Sequence, residues 1–200
     1  MHLKTVVKYH ANYQKMKRLF VAIHIRPSEK LIHAIRKIKD NLSDDQIKWV
    51  NEDLLHITLK FMGETPDKEI DQIIHRLKKS VAGFSSFDFQ ISGFGYFGNS
   101  KFPRVLWLGI DAPENLQMLY QNIQKALKNY GPAEKKELFK PHLTIGRVRN
   151  FKSVTALFET EAEFADTVFQ NITVKEIILY ESFLKPDGPV HSVLEKVSLE

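Results

Sequence analysis

Apolar positions along the chain fall into two kinds of pattern, short dense runs and stepped series, and the two kinds alternate. The run "RLFVAIHI", Arg18 to Ile25, is short, apolar and stopped by Pro27, which predicts a strand. From Ser28 to Leu42 the residues Leu31, Ile35, Ile38 and Leu42 step by three and four, the spacing of one stripe along a helix. The run around His56 is strand-like, and Thr65-Pro66 after it predicts an N-cap and a first helical residue ahead of Ile70, Ile73, Ile74 and Leu77. In "SSFDFQISGFGYFGN" the alternation of Phe87, Phe89 and Ile91 breaks into glycines, and "RVLWLGI" is a compact apolar run. Two strands flanking a glycine-rich, aromatic loop are expected there. Leu116, Leu119, Ile123 and Leu127 mark a third helix ending near Gly131. A second His-containing strand around His142 follows, then a short helix near Lys152 to Thr160. Closing strands near Ile172 to Glu181 and His191 to Leu199 are joined by the turn "LKPDGPVH".

The order is therefore strand, helix, strand, helix, strand, strand, helix, strand, short helix, strand, strand, which predicts an α+β fold with a duplicated half. Residues 1–17 are polar and without a period and read as an N-terminal extension; residues 18–200 read as a single folding unit.

Composition narrows the chemistry more than the fold. The 200-residue chain has no cysteine, which excludes disulfides, thiolate zinc sites and cysteine nucleophiles and leaves His, carboxylates, hydroxyls and basic groups. No apolar run approaches the roughly 20 residues that span a bilayer, and the N-terminal stretch lacks a signal-peptide core, so a cytoplasmic protein with no membrane partner is expected. A net charge of +5 favours a polyanionic partner, though weakly by itself.

One pattern occurs twice. "LLHITLKFMGE" (Leu54 to Glu64) and "KPHLTIGRV" (Lys140 to Val148) each place His-x-Thr inside an apolar run. With 8 His and 8 Thr in the chain, random placement yields about 0.3 such matches. Because strand side chains alternate between faces, His56 and Thr58 share one face while Ile57 and Leu59 take the other, and His142 and Thr144 are set against Leu143 and Ile145 in the same way. A lone strand histidine is most often structural, but two in one cleft suit proton transfer, since each holds either proton state near neutrality. The hydroxyls of Thr58 and Thr144 can donate to phosphoryl oxygens, and Arg147, three residues past Thr144, offers a permanent cation with a phosphate-matched fork. For Arg147 a solvated strand-end role is the plainer alternative. Paired histidines also suit a metal, but no Cys, no His-Glu-x-x-His and no third ligand at useful spacing accompany them, so no metal is expected. Gly-x-Ser-x-Gly, P-loop and Rossmann fingerprints are missing too.

At "HITL" and "HLTI" the sequence resembles the 2H phosphoesterase superfamily, and most of all the RNA 2′,3′-cyclic phosphodiesterases, also known as bacterial and archaeal 2′-5′ RNA ligases. "RLFVAI", "LHITLKFMGE", "PRVLWLG" and "KPHLTIGR" look like that family's blocks in that family's order. The resemblance implies a bilobal fold, two antiparallel-sheet lobes with outer helices around a central cleft, each lobe offering one His motif. It implies metal-independent, cofactor-free hydrolysis of an RNA 2′,3′-cyclic phosphate end to a 2′-phosphate. His142 would be the general base, His56 the general acid, Thr58 and Thr144 phosphoryl ligands and Arg147 an electrostatic helper. Alternatives on the same site are 2′-5′ ligation or opening of a small cyclic nucleotide, and a third is RNA binding without turnover. In "GFGYFGNSKFPR", Phe97 and Arg104 are candidates for base stacking and phosphate contact, set against ordinary core packing. His24, His33, His75 and His191 lack the following threonine and read as structural or surface residues. A monomer is the default.

Overall fold

The structure, a computed structural model, describes residues 15–111, 113–132, 139–186 and 188–200. The chain builds β1 (Met16–His24), α1 (Glu29–Asn41), β2 (Gln46–Trp49), β3 (His56–Pro66), α2 (Ile70–Ser80), β4 (Phe87–Asn99) and β5 (Phe102–Ile110). It continues with α3 (Glu114–Ala126), β6 (His142–Asn150), α4 (Val154–Phe164), β7 (Val168–Val174), β8 (Glu176–Lys185) and β9 (Gly188–Ser198). Among the described residues no helix is long and apolar enough to cross a membrane.

The strands form two antiparallel sheets, ordered β3-β1-β8-β9 and β2-β6-β5-β4-β7. Without its edge strand β2, the second sheet reads β6-β5-β4-β7, and each sheet then has a His-x-Thr strand at one side, beside the strand that precedes it through one helix. The expected α+β fold with two antiparallel-sheet lobes is what the chain forms. The helices are exchanged between the halves: α1, which follows β1 of the first sheet, lies against β7 and α4 over the second sheet, while α3, which follows β5 of the second, lies against β3 and α2 over the first.

Side-chain bonds lock this exchange. Asn41 Nδ2 at the end of α1 donates to Glu163 and Thr160 of α4, and the Gln170 amide of β7 bonds both Ser28 N and the Arg26 carbonyl at the start of α1. On the other side Gln124 of α3 donates to the Leu59 carbonyl at 2.7 Å and accepts from buried Lys60 at 2.8 Å. One continuous core results. Leu19, Val21 and Ile23 of β1, Ile57 and Leu59 of β3, and Leu143 and Ile145 of β6 all enter it with the apolar stripes of the helices. The opposite face of β1 carries Phe20 and Ala22, which pack with Ile178 and Tyr180 of β8 in a separate small cluster.

Several sequence expectations change. Thr65 and Pro66 do not start a helix: β3 runs on through them, Pro66 pairs with Met16, the Thr65 hydroxyl donates back to the Gly63 carbonyl, and α2 starts only after a 3-10 turn at Asp67–Glu69. The glycine-rich stretch is strand throughout, paired to β5 as far as Asn99. Its glycines serve close approach rather than looping, since a Cβ on Gly95 would fall onto the Trp107 ring. The closing strand expected over 172–181 is two strands in different sheets, and the chain changes sheet across Lys175. β2 has no counterpart in the apolar pattern because its four edge residues bury nothing fully. α3 ends at Ala126, short of the expected Gly131, whose φ of +78° serves the place where the chain backs onto Phe61 and Met62. Of the expected N-terminal extension, Met16 and Lys17 lie in β1 and residues 1–14 are outside the described residues. Within the turn expected at "LKPDGPVH", Leu184 and Lys185 of β8 pair with Pro189 and Gly188 of β9, and residue 187 lies outside the described residues.

Gly95→Ala tests the close packing under Trp107. The added methyl must displace the indole, so unfolding in urea should show a loss of about 1–3 kcal/mol; an unchanged midpoint would mean that the ring moves freely.

Candidate active site

Each His-x-Thr strand is built the same way at the backbone. In β3, Ile57 and Leu59 are 1% exposed and hold the core face, which turns His56 and Thr58 to the other side. In β6, Leu143 and Ile145 do the same at 0% and 1%, presenting His142 and Thr144. Immediately after each threonine the ladder slips: Ala22 pairs with Thr58 but Val21 with Lys60, and Trp107 pairs with Thr144 but Leu106 with Gly146. Leu59 and Ile145 are thus the extra residues of two matching bulges, and a bulge resets the alternation. The residue three past each threonine therefore returns to the cleft: Phe61 in one copy, Arg147 in the other.

The rings are fixed alike as well. His56 Nδ1 lies 2.7 Å from the Leu54 carbonyl oxygen and His142 Nδ1 lies 2.8 Å from that of Lys140, each two residues back. A carbonyl can only accept, so Nδ1 carries the proton in both neutral rings and Nε2 is left for chemistry.

Both histidines open into one cavity of about 920 Å³ that also takes in Thr58, Thr144 and Arg147. Five of the predicted seven site residues are thus brought together. Phe97 is near but behind them, its ring edge-on to His142 at 4.7 Å and 88° and 5.5 Å from Trp107. It buttresses the imidazole and is not among the cavity's lining residues. Arg104 is exposed on β5 and lines neither this cavity nor its neighbour.

Sequence reading missed much of the cavity's charge. Arg18, Lys48, Arg149 and Lys185 line it together with Arg147, and among the described residues no Asp or Glu does. None of these five cations makes an ion pair among the described residues. Arg18 lies over the Phe61 ring at 5.1 Å, and Phe61 remains 41% exposed. The signal for Phe61 was available, since it stands at the Arg147 position of the other copy. The scattered cations carried none, because β1, β2, β6 and β8 meet only through topology. His191 of β9 also lines the cavity, against the surface or structural role read from sequence.

Burial dominates the electrostatics. It lowers the His56 pKa to about 4 against the Leu54 carbonyl, which acts to raise it, with His191, His24 and Arg147 adding to the depression. His142 is lowered by burial first, opposed by the Lys140 carbonyl and assisted by Arg147. Both rings are therefore neutral at pH 7 in the unliganded protein, in a cavity otherwise lined by permanent cations. That combination binds an oxyanion and leaves the proton inventory to be set by it.

The chain was compared with known proteins. Residues 18–182 match the family model described as the 2′-5′ RNA ligase superfamily. A Thermotoga maritima protein named RNA 2′,3′-cyclic phosphodiesterase is 36% identical over 152 residues, covering 76% of this chain and 79% of the relative. A Methanocaldococcus jannaschii protein of the same name is 33% identical over 179 residues, covering 90% and 99%. Among solved structures, a Thermus thermophilus protein superposes with a TM-score of 0.73 at 26% identity over 91% of this chain and 97% of its own. E. coli LigT complexed with 3′-AMP superposes with a TM-score of 0.73 at 23% identity over 92% and 99%, a likeness of fold.

The depressed pKa values make stability depend on pH with a definite sign. The unfolded chain binds protons on these rings near 6.5 and the folded chain only lower, so the stability they contribute is fully present above pH 6.5 and is lost as pH falls towards 4. The melting temperature should drop across that window in wild type and drop less in His56→Gln. Equal slopes would mean that His56 titrates normally.

Proposed function

We propose that this chain, which belongs to the 2′-5′ RNA ligase superfamily, is a cyclic phosphodiesterase that hydrolyses RNA 2′,3′-cyclic phosphate ends to 2′-phosphates with two histidines and no metal. The observation that carries the reading is the pair of identically held imidazoles, each with Nε2 directed away from its carbonyl anchor, opening into one cavity lined by cations and two hydroxyls. Relatives at 31–36% identity bear the name RNA 2′,3′-cyclic phosphodiesterase, which fits the same chemistry.

The proposed reaction runs between the two rings. The cyclic phosphate is a monoanion, and Arg147 with the Thr58 and Thr144 hydroxyls holds its non-bridging oxygens. His142 Nε2 takes a proton from a water molecule whose oxygen bonds to phosphorus. The bond from phosphorus to the ribose 3′ oxygen breaks, and His56 Nε2 gives its proton to that oxygen, leaving the phosphate on the 2′ oxygen. Two copies of one motif are required because an acid and a base must flank a single phosphorus.

His56 near 4 is a poor proton donor at neutral pH unless something charges it. The substrate does this: an anion at about 4–6 Å favours imidazolium, so binding and arming of the acid are one event. The free protein then governs kcat/KM with low pKa values and the complex governs kcat with higher ones.

Two measurements test the reading. A short RNA ending in a 2′,3′-cyclic phosphate, incubated with EDTA, should yield the 2′-phosphate, and His56→Ala and His142→Ala should each lower kcat roughly 10²–10⁴-fold. A folded wild type that forms no 2′-phosphate, or needs a divalent metal, would overturn it. In pH profiles, the alkaline limb of kcat should lie above that of kcat/KM; coincident limbs would rule out arming by the substrate.

A further inference from the structure

A third imidazole reaches the cleft from outside both motifs. His191, near the start of β9, lines the 920 Å³ cavity and also a smaller one of about 260 Å³, and with Leu54 and His56 it forms the wall between them. Its ring packs on Phe20 at 4.8 Å and 70° and lies edge-on to His56 at 5.6 Å and 88°. Phe20 in turn stacks on Tyr180 at 5.1 Å and 18°, so the histidine sits on a fixed aromatic floor.

What separates His191 from the other two rings is its hydrogen bonding. His56 and His142 each commit Nδ1 to a carbonyl, whereas His191 Nδ1 is buried with no partner among the described residues. The Val190 carbonyl is near enough to favour the protonated ring without forming a hydrogen bond of normal geometry, and burial outweighs it. The nitrogen left for the cavities is Nε2, and a neutral ring that carries its proton there offers a donor to a ligand. A phenylalanine would fill the same floor without an unsatisfied atom. Among the described residues nothing accounts for a polar ring at this place, and a histidine open to two cavities is suited to a ligand.

We propose that His191 is a third substrate-contacting histidine, donating from Nε2–H to a ribose or phosphoryl oxygen of the cyclic phosphate on the His56 side of the cleft. The inference rests on the phosphodiesterase reading for the identity of the ligand. It divides the labour among the rings: His56 and His142 present basic Nε2 atoms for proton transfer, and His191 presents a donor that holds the reacting group against the acid.

The test uses the full chain labelled with nitrogen-15. At pH 8 the ring of His191 should show the Nε2–H tautomer and those of His56 and His142 the Nδ1–H tautomer, and inorganic phosphate should shift the His191 ring signals together with the other two. With cyclic-phosphate RNA, His191→Phe should lose roughly 10–100-fold in kcat/KM, the size expected for one hydrogen bond to a charged group, and His191→Gln, which keeps a donor, should recover part of it. An Nδ1–H tautomer, a His191 ring unmoved by saturating phosphate, or a His191→Phe variant with wild-type kcat/KM would each overturn the proposal. If wild type turns nothing over, the phosphodiesterase reading fails, and a phosphate shift at His191 would still support the contact. If His191→Phe does not fold, the wild-type spectra decide.

Discussion

The site depends on a hydrogen bond from an imidazole Nδ1–H to a main-chain carbonyl two residues earlier, made once at His56 with Leu54 and once at His142 with Lys140. The bond fixes three things together. It selects the tautomer, aims Nε2 away from the backbone, and removes most of the ring's rotational freedom before any ligand arrives. It also needs the chain to enter the strand in a set way, since the accepting carbonyl belongs to the segment just before β3 or β6. Leu55 N, beside His56, reaches back to the Glu52 carbonyl, and Ile25 N bonds the Leu55 carbonyl, so the entry to β3 is itself anchored.

Holding two such rings at one cavity is the work of the exchanged helices. If α1 and α3 each covered the sheet of the strand before it, the halves would share only a surface. With α1 on the second sheet and α3 on the first, the core is continuous from Leu19 to Leu199, and the His strands back onto it through Ile57, Leu59, Leu143 and Ile145. Because protein interiors are close-packed, the cleft face inherits that rigidity. The same burial that fixes the rings lowers their pKa values, so rigidity and a neutral, basic Nε2 arise from one cause.

Much of this was legible in the sequence, and the limit is physical. Periodicity located α1, α2 and α3 because each has one apolar stripe and a polar face, and Ser28 caps α1 as such a residue does. Thr65-Pro66 misled because a threonine before a proline suits a strand end as well as a helix start, and the β1 ladder decided between them. Gly93 to Gly98 misled because glycine marks both turns and close approaches, and only the Trp107 ring reveals which applies. His56, Thr58, His142 and Thr144 were visible through repetition. Phe61 was visible through the same repetition, at the position of Arg147, whereas His191 and the cations of β1, β2 and β8 are assembled by sheet order alone, which no local pattern encodes.

The duplication is closer in backbone than in side chains, and the differences give the cleft its polarity. Both copies have the anchored histidine, the inward threonine and the bulge that brings the next cleft residue three positions on. At that position one copy places an aromatic ring under a guanidinium and the other a guanidinium itself. His56 lies with Phe20, Tyr180 and His191 on an aromatic floor, while His142 has the edge of Phe97 on one side and Arg147 close by. Burial holds His56 neutral near pH 7, and among the described residues the larger cavity is lined by no carboxylate, so in the proposed reaction the ligand's negative charge favours its protonation. In the proposed reaction the acid half is therefore dormant until the phosphate is in place, and the asymmetry between two nearly identical strands sets the direction in which the proton travels.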